Sequence, residues 1–315
     1  MTMPEPAVWT RGLARTFGTT RAVDALDLEI ARGEMYGLVG PDGAGKSTAI
    51  RLLCGILRPT AGEGRVLGLD LLRESERIKS RIGYLSQSFT LYGDLTVDEN
   101  IEFFAELHGV HGFAARRNEL LDFTRLLPFR RRRAETLSGG MKKKLALACT
   151  LVHTPEVVFL DEPSTGVDPV SRGEFWNILS GILARGVTIV MTTPYLDEAE
   201  RCNRVGLIHR GRILLAGTPA DVKASLPGRI YSLECGEPPA AYRTLRERWP
   251  PSNVVLYGDR IRLWTRRGEA EVREAISWLD RSGIRPVGTR AVPPSLEDAF
   301  VALVTAQTGP EEEPR

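Results

Sequence analysis

The stretch Gly40-Pro41-Asp42-Gly43-Ala44-Gly45-Lys46-Ser47 constrains this chain more than any other. It matches the pattern G-x-x-x-x-G-K-[ST], and its surroundings suit that pattern. The apolar run Met35–Val39 reads as a buried strand entering the loop, and Thr48–Leu53 reads as the helix leaving it. Glycines let the backbone turn tightly enough for successive N–H groups to face one anion, and the helix N-terminus adds positive potential. In such a loop Lys46 reaches the β- and γ-phosphates of a nucleotide, and the Ser47 hydroxyl completes a Mg2+ shell. A plain glycine-rich strand–helix turn is the alternative, and the flanking strand and helix argue against it. The loop by itself separates neither ATP from GTP nor a pump from a kinase.

Two later stretches carry related chemistry. Val157–Leu160 reads as a buried strand ending in Asp161-Glu162. One carboxylate to orient a metal and one to polarise water is what phosphoryl transfer to water requires. The competing reading of paired acids at a strand end is a helix N-cap. Leu137-Ser138-Gly139-Gly140-Met141 opens a helix, and its adjacent glycines suit close approach of an anion. Between these motifs, residues 96–133 read as helical. Thr96 can cap with Glu99, and Val97, Ile101, Phe104 and Leu107 fall on one face. The basic runs Arg130–Arg133 and Lys142–Lys144 read as a solvated face sooner than as a binding surface. Phe17, before Gly18, reads either as a core residue or as a ring for stacking a base.

Composition narrows the classes. The chain has 315 residues, 42 of them basic and 40 acidic, for a net charge of +2. Two domains are expected, and nothing suggests bulk nucleic-acid binding. Cys54, Cys149, Cys202 and Cys235 form no C-x-x-C pair and read as reduced, mostly buried thiols, while the 4 histidines are scattered. The N-terminal residues lack the features of a secretory signal, and no run is long and apolar enough to span a bilayer, so a soluble protein is expected.

Taken in order, Gly40–Ser47, Gln87, Leu137–Met141, Val157–Glu162, Ser164–Asp168 and Thr192–Glu200 resemble the ATP-binding subunits of ABC transporters. The resemblance covers residues 7 to about 225. It implies a RecA-like core, an antiparallel β lobe and a helical subdomain at about 96–140. It implies ATP and Mg2+ as cofactors and a chain active as an ATPase. Phe17 becomes the adenine-stacking ring, and Gly40, Asp42, Gly43, Ala44, Gly45, Lys46, Ser47 and Thr48 hold the phosphates. Gln87 links Mg2+ and the γ-phosphate to the membrane partner, and Ser47 and Asp161 complete the metal set. Glu162 is the general base. Ser138, Gly139 and Gly140 close over ATP held by a second subunit, and Asp168 lies at that dimer interface. Membrane-spanning permease subunits encoded separately are implied, with the chain on the cytoplasmic face of the membrane.

Two residues depart from the family pattern. Met141 stands where glutamine is usual, a variant at home in the drug-exporting branch. Pro194 stands where family members usually have a histidine that contacts the γ-phosphate, and proline has no side-chain donor. A heterodimer with a regular second ATPase subunit is therefore favoured over a homodimer. A hydrolysis-impaired regulatory half and a soluble non-transport ATPase are the alternatives.

Beyond residue 225 the pattern reads strand, helix, hairpin around Gly258-Asp259, helix, strand. That βαββαβ order implies a small ferredoxin-like domain over 226–307, followed by a disordered tail over 308–315. The ending resembles the ATPases of daunorubicin-resistance-like exporters.

Overall fold

The computed structural model describes residues 5–88 and 91–308. They divide into two compact units, Met1–Ala216 and Gly217–Arg315. This places the division ahead of the boundary expected at 225, so a short helix falls with the second unit. Past Thr308, the tail expected over 308–315 lies outside the described residues.

The first unit opens with β1 (Val8–Phe17) and β2 (Thr20–Ile30), followed by β3 (Met35–Val39) and α1 (Lys46–Leu53). Next come β4 (Ala61–Val66), β5 (Leu69–Asp70), α2 (Ser75–Lys79) and β6 (Ile82–Leu85). Three helices follow, α3 (Val97–Leu107), α4 (Ala114–Phe123) and α5 (Gly139–Leu151). The unit finishes with β7 (Val157–Asp161), α6 (Pro169–Ala184), β8 (Thr188–Thr193), α7 (Leu196–Ala199), β9 (Arg204–His209) and β10 (Arg212–Gly217).

Two sheets result. β2-β1-β4-β5 is an antiparallel lobe. The larger sheet has the order β10-β9-β3-β8-β7-β6, with β9, β3, β8, β7 and β6 running parallel. Every residue of β3, β7 and β8 is buried, the signature of parallel strands covered on both faces. α1 packs on β7 and β8, α5 on β6, and α6 on β8. The carboxyl ends of β3, β8, β7 and β6 therefore lie side by side, where ligands of open parallel sheets bind.

The helical stretch is as capped as its sequence implied. The Thr96 hydroxyl accepts from the Glu99 N–H at 3.2 Å, and Glu99 accepts from the Thr96 N–H at 2.7 Å. Its buried stripe differs from the expected face. Val97, Ile101 and Ala105 are buried at i, i+4 spacing, whereas Leu107 is 66% exposed. The regular helix also stops before Arg133, because Arg125 adopts a left-handed φ of 57° after α4 and Pro128 then enters a 3-10 turn. The arginine run is partly absorbed, with Arg130 donating to Asp98 at 2.8 Å and Arg132 stacked on Phe129.

In the second unit α8 (Pro219–Ala224) precedes β11 (Arg229–Cys235), α9 (Pro238–Arg246), β12 (Val254–Tyr257), β13 (Arg260–Thr265), α10 (Glu269–Arg281), β14 (Pro286–Val292) and α11 (Leu296–Thr308). The sheet order is β12-β13-β11-β14 and all neighbours are antiparallel. Order and direction are those of a ferredoxin-like βαββαβ unit, which α8 and α11 flank in sequence. Gly258 supplies the positive φ of 60° that the β12–β13 turn needs. Tyr231, Leu233, Ile261 and Leu263 pack against Leu245, Val272 and Leu279 to form a separate core. No helix among the described residues is long and apolar enough to cross a membrane.

Candidate nucleotide site

The glycine-rich loop joins β3 to α1 under tight steric constraint. A Cβ on Gly40 would lie 2.1 Å from the Ile208 carbonyl, and one on Gly45 2.2 Å from the Ala22 carbonyl of β2. Gly45 also has φ 101°, a conformation that only glycine adopts without strain. The loop is thereby wedged between the two sheets, with its amides at the start of α1. The Ala44 carbonyl is tied down by the Gly211 N–H at 2.9 Å, while Asp42 projects into solvent. Thr48 is half-buried in the first turn of α1.

The Lys46 ammonium is 3% exposed and folds back over the loop, donating to the Gly40 and Pro41 carbonyls at 2.9 and 3.0 Å. It also pairs with Glu162 at 3.1 Å. Burying an unpaired charge costs several kcal/mol, so this pairing stabilises both groups. A phosphate would compete for the same ammonium and release it from Glu162.

Asp161 and Glu162 sit at the end of β7 and diverge in role. Asp161 is fully buried, and its Oδ1 accepts from the Ser47 hydroxyl at 2.9 Å and from the Thr192 hydroxyl at 2.8 Å. Its Oδ2 is buried without a hydrogen-bond partner, an acceptor suited to a cation or a metal-bound water. Glu162 adopts φ 48°, a left-handed conformation unusual outside glycine. That turn carries its carboxylate to Lys46 and to the Gln87 side-chain nitrogen, which donates to Oε2 at 3.0 Å. Thr165 approaches the same oxygen at 3.4 Å. Both carboxylates therefore face the loop and its neighbours, and no helix starts at them. The N-cap role falls to Asp168, whose carboxylate accepts from Val170 and Ser171 at the head of α6. The Ser171 hydrogen bonds hold its carboxyl below the ordinary range.

Thr192 is the residue that sequence reasoning left without a role. It pairs with Asp161 in the β7–β8 register, accepts from the Glu162 N–H at 2.9 Å, and donates to Asp161. One hydroxyl thus fixes both acids. Thr193 orders the next turn, donating to Glu198 at 2.7 Å and accepting from the Tyr195 N–H at 3.0 Å. Pro194 follows these two threonines directly and is half-buried.

Not every expected residue converges on the loop. Ser138 and Gly139 are exposed, and the Ser138 hydroxyl caps α5 through the Met141 N–H at 3.3 Å. Gly140 packs against α6, where a Cβ would lie 2.4 Å from Ser171 and 3.7 Å from Asp168. The two helix N-termini form one cluster. Phe17 ends β1 at 44% exposure, with the Arg15 guanidinium 4.6 Å over its ring, so it is no core residue. Two members of the lysine run are absorbed: Lys144 pairs with Glu174, and Lys143 donates to the Gln87 carbonyl at 3.2 Å. The thiols of Cys54, Cys149 and Cys202 are free and buried, and burial pushes that of Cys202 up to about 12, which leaves no reactive thiolate there.

Comparison with known proteins agrees with this geometry. The family model described as "ABC transporter" matches residues 23–165. The chain is 42% identical over 222 residues to the probable multidrug ABC transporter ATP-binding protein YbhF of Escherichia coli. That match covers 70% of this chain and 38% of the relative, so the chain spans well under half of that protein's length. It is 36% identical over 310 residues to the daunorubicin resistance ATP-binding protein DrrA3 of Streptomyces coeruleorubidus, covering 96% of each. Among solved structures, an ATP binding subunit of an ABC transporter superposes with a TM-score of 0.63 at 28% identity. That superposition covers 69% of this chain and 92% of the other.

Proposed function

The chain belongs to the ABC transporter ATP-binding proteins, and from that premise we propose that it binds and hydrolyses ATP to drive an exporter. The observation that carries the hydrolytic reading is Glu162. It is held at 3.1 Å from Lys46 and 3.0 Å from Gln87, one residue from a buried acid with an unpartnered oxygen. In this reading the amides of Gly43, Gly45, Lys46 and Ser47 bind the phosphates, Lys46 turns from Glu162 to them, and Phe17 stacks on adenine. Glu162, relieved of its ammonium, accepts a proton from the attacking water. Gln87 keeps that carboxylate aimed, and the Thr192 hydroxyl holds the Glu162 backbone N–H.

Ser47 and Asp161 would hold Mg2+, and the Gln87 side-chain nitrogen serves Glu162, so its oxygen is the atom left for the metal. When bound, the ion neutralises phosphate charge as it builds in the transition state. The names of the relatives, multidrug transporter and daunorubicin resistance, support a role in drug export, and on that reading the chain works on the cytoplasmic face beside permease subunits.

Pro194 favours one refinement. We infer a heterodimer in which this chain's Ser138–Gly140 completes the ATP site of a second, regular ATPase subunit, while its own site hydrolyses more slowly for want of a donor at 194. The test is steady-state turnover by the purified lone chain, before and after Pro194→His. Slow turnover raised by the substitution is expected. Robust wild-type turnover, unchanged by Pro194→His, would overturn the pairing.

A further inference from the structure

We infer that Lys143 is a positioning residue for Glu162, acting through the backbone of Gln87. The inference rests on the reading of Glu162 as general base. Lys143 sits in a basic run that looks like a solvated face, yet the three lysines diverge. Lys142 is half-buried, Lys144 is buried against Glu174, and the Lys143 ammonium donates to the Gln87 carbonyl at 3.2 Å. Gln87 in turn donates its side-chain nitrogen to Glu162 Oε2 at 3.0 Å. A continuous path therefore runs from α5 through Gln87, two residues beyond β6, to the base. Burial works against the charge on Lys143, and the negative field of Asp161 and Glu162 works for it.

The segment it holds needs such a tie. Gln87 is exposed, and its side chain is one of the few donors that fix Glu162. With the Gln87 carbonyl released, the amide that orients Glu162 Oε2 loses its fixed origin. Misplacing a catalytic group by about 1 Å can cost up to about a hundredfold in rate. The same helix begins at Ser138–Gly140, so whatever engages its N-terminus also bears on Lys143. α5 thus joins the exposed Ser138 and Gly139 to the base within one chain.

The experiment compares the full-length wild type with Lys143→Met, Gln87→Ala, the double variant and Lys143→Arg, in the assembly that sustains turnover. Single-turnover hydrolysis, affinity for Mg·ATP and melting temperature are read for each, with Glu162→Gln as the control. We expect Lys143→Met to slow hydrolysis on the order of tenfold with affinity and melting temperature kept. The double variant should match Gln87→Ala alone, and Lys143→Arg should retain the rate because it can still donate to the carbonyl. Additive losses, or a wild-type rate in Lys143→Met while Glu162→Gln is inactive, would overturn the inference and leave the base reading standing. A wild-type rate in Glu162→Gln would overturn both.

Discussion

The two units of this chain bury different things. Among the described residues, every buried charge, Lys46, Lys144, Asp161, Glu162 and Glu198, lies in the first unit. Among the described residues of the second unit the buried polar ones are Ser232 and Thr265, and its core is aliphatic and aromatic. Buried charge destabilises a fold unless it is paired, and three of these groups, Lys46, Asp161 and Glu162, gather where the glycine-rich loop meets the end of β7. A unit without them contributes through packing. The comparison assigns the nucleotide chemistry to the first unit and predicts that damage to each unit is read in a different observable.

The largest effect expected is on Lys46→Ala. Removing the ammonium that faces Gly40, Pro41 and Glu162 should abolish most ATP binding, and it leaves Glu162 without its cation. Equilibrium titration with Mg·ATP measures this, and near wild-type affinity would break the assignment of the loop. The matching lesion in the second unit is Leu263→Ala. Leu263 is fully buried, and such a truncation costs about 2–5 kcal/mol of the unit's stability. Three of the five tryptophans, Trp249, Trp264 and Trp278, report on that unit's unfolding by fluorescence. Mg·ATP affinity should stay unchanged under native conditions, and a parallel loss would show that the second unit completes the site.

Acidification should separate the units more gently. All four histidines lie in the first unit. His108 and His153 stack at 4.0 Å, and burial lowers both below the ordinary 6.5. A group with a depressed imidazole pKa is neutral in the fold when it would be protonated in the unfolded chain. Stability then falls as pH drops below about 6.5, because the unfolded state binds more protons. Between pH 7 and about 5.5 the melting of the first unit should decline, with the second unit little changed. His153→Asn should flatten that decline, and an equal decline in both units would count against the difference.

Much of this was legible in the residues. The loop, its entering strand, its leaving helix and the acids ending β7 all announce themselves through local order, because backbone geometry and phosphate chemistry demand those types at those spacings. The βαββαβ order of the second unit was readable from periodicity and the Gly258 turn. What escaped depends on which strands become neighbours. Thr192 meets Asp161 only because β8 lies beside β7, a fact that no pattern along the chain carries. Lys143 and Lys144 look alike in sequence and acquire separate partners only when α5 docks against Gln87 and α6. Leu107 fits a helical stripe but faces outward, because the buried row follows Ala105. Asp168 and Gly140 likewise meet only through the packing of two helix N-termini.

The central claim, that the first unit hydrolyses ATP through Glu162, is tested most directly by Glu162→Gln. Mg·ATP affinity and single-turnover hydrolysis are measured on the same preparation of the full chain, in the assembly that sustains its turnover. The account predicts affinity at or above wild type, since Lys46 is no longer held by an anion, and hydrolysis slowed about a hundredfold or more. Unchanged hydrolysis with intact binding would contradict it.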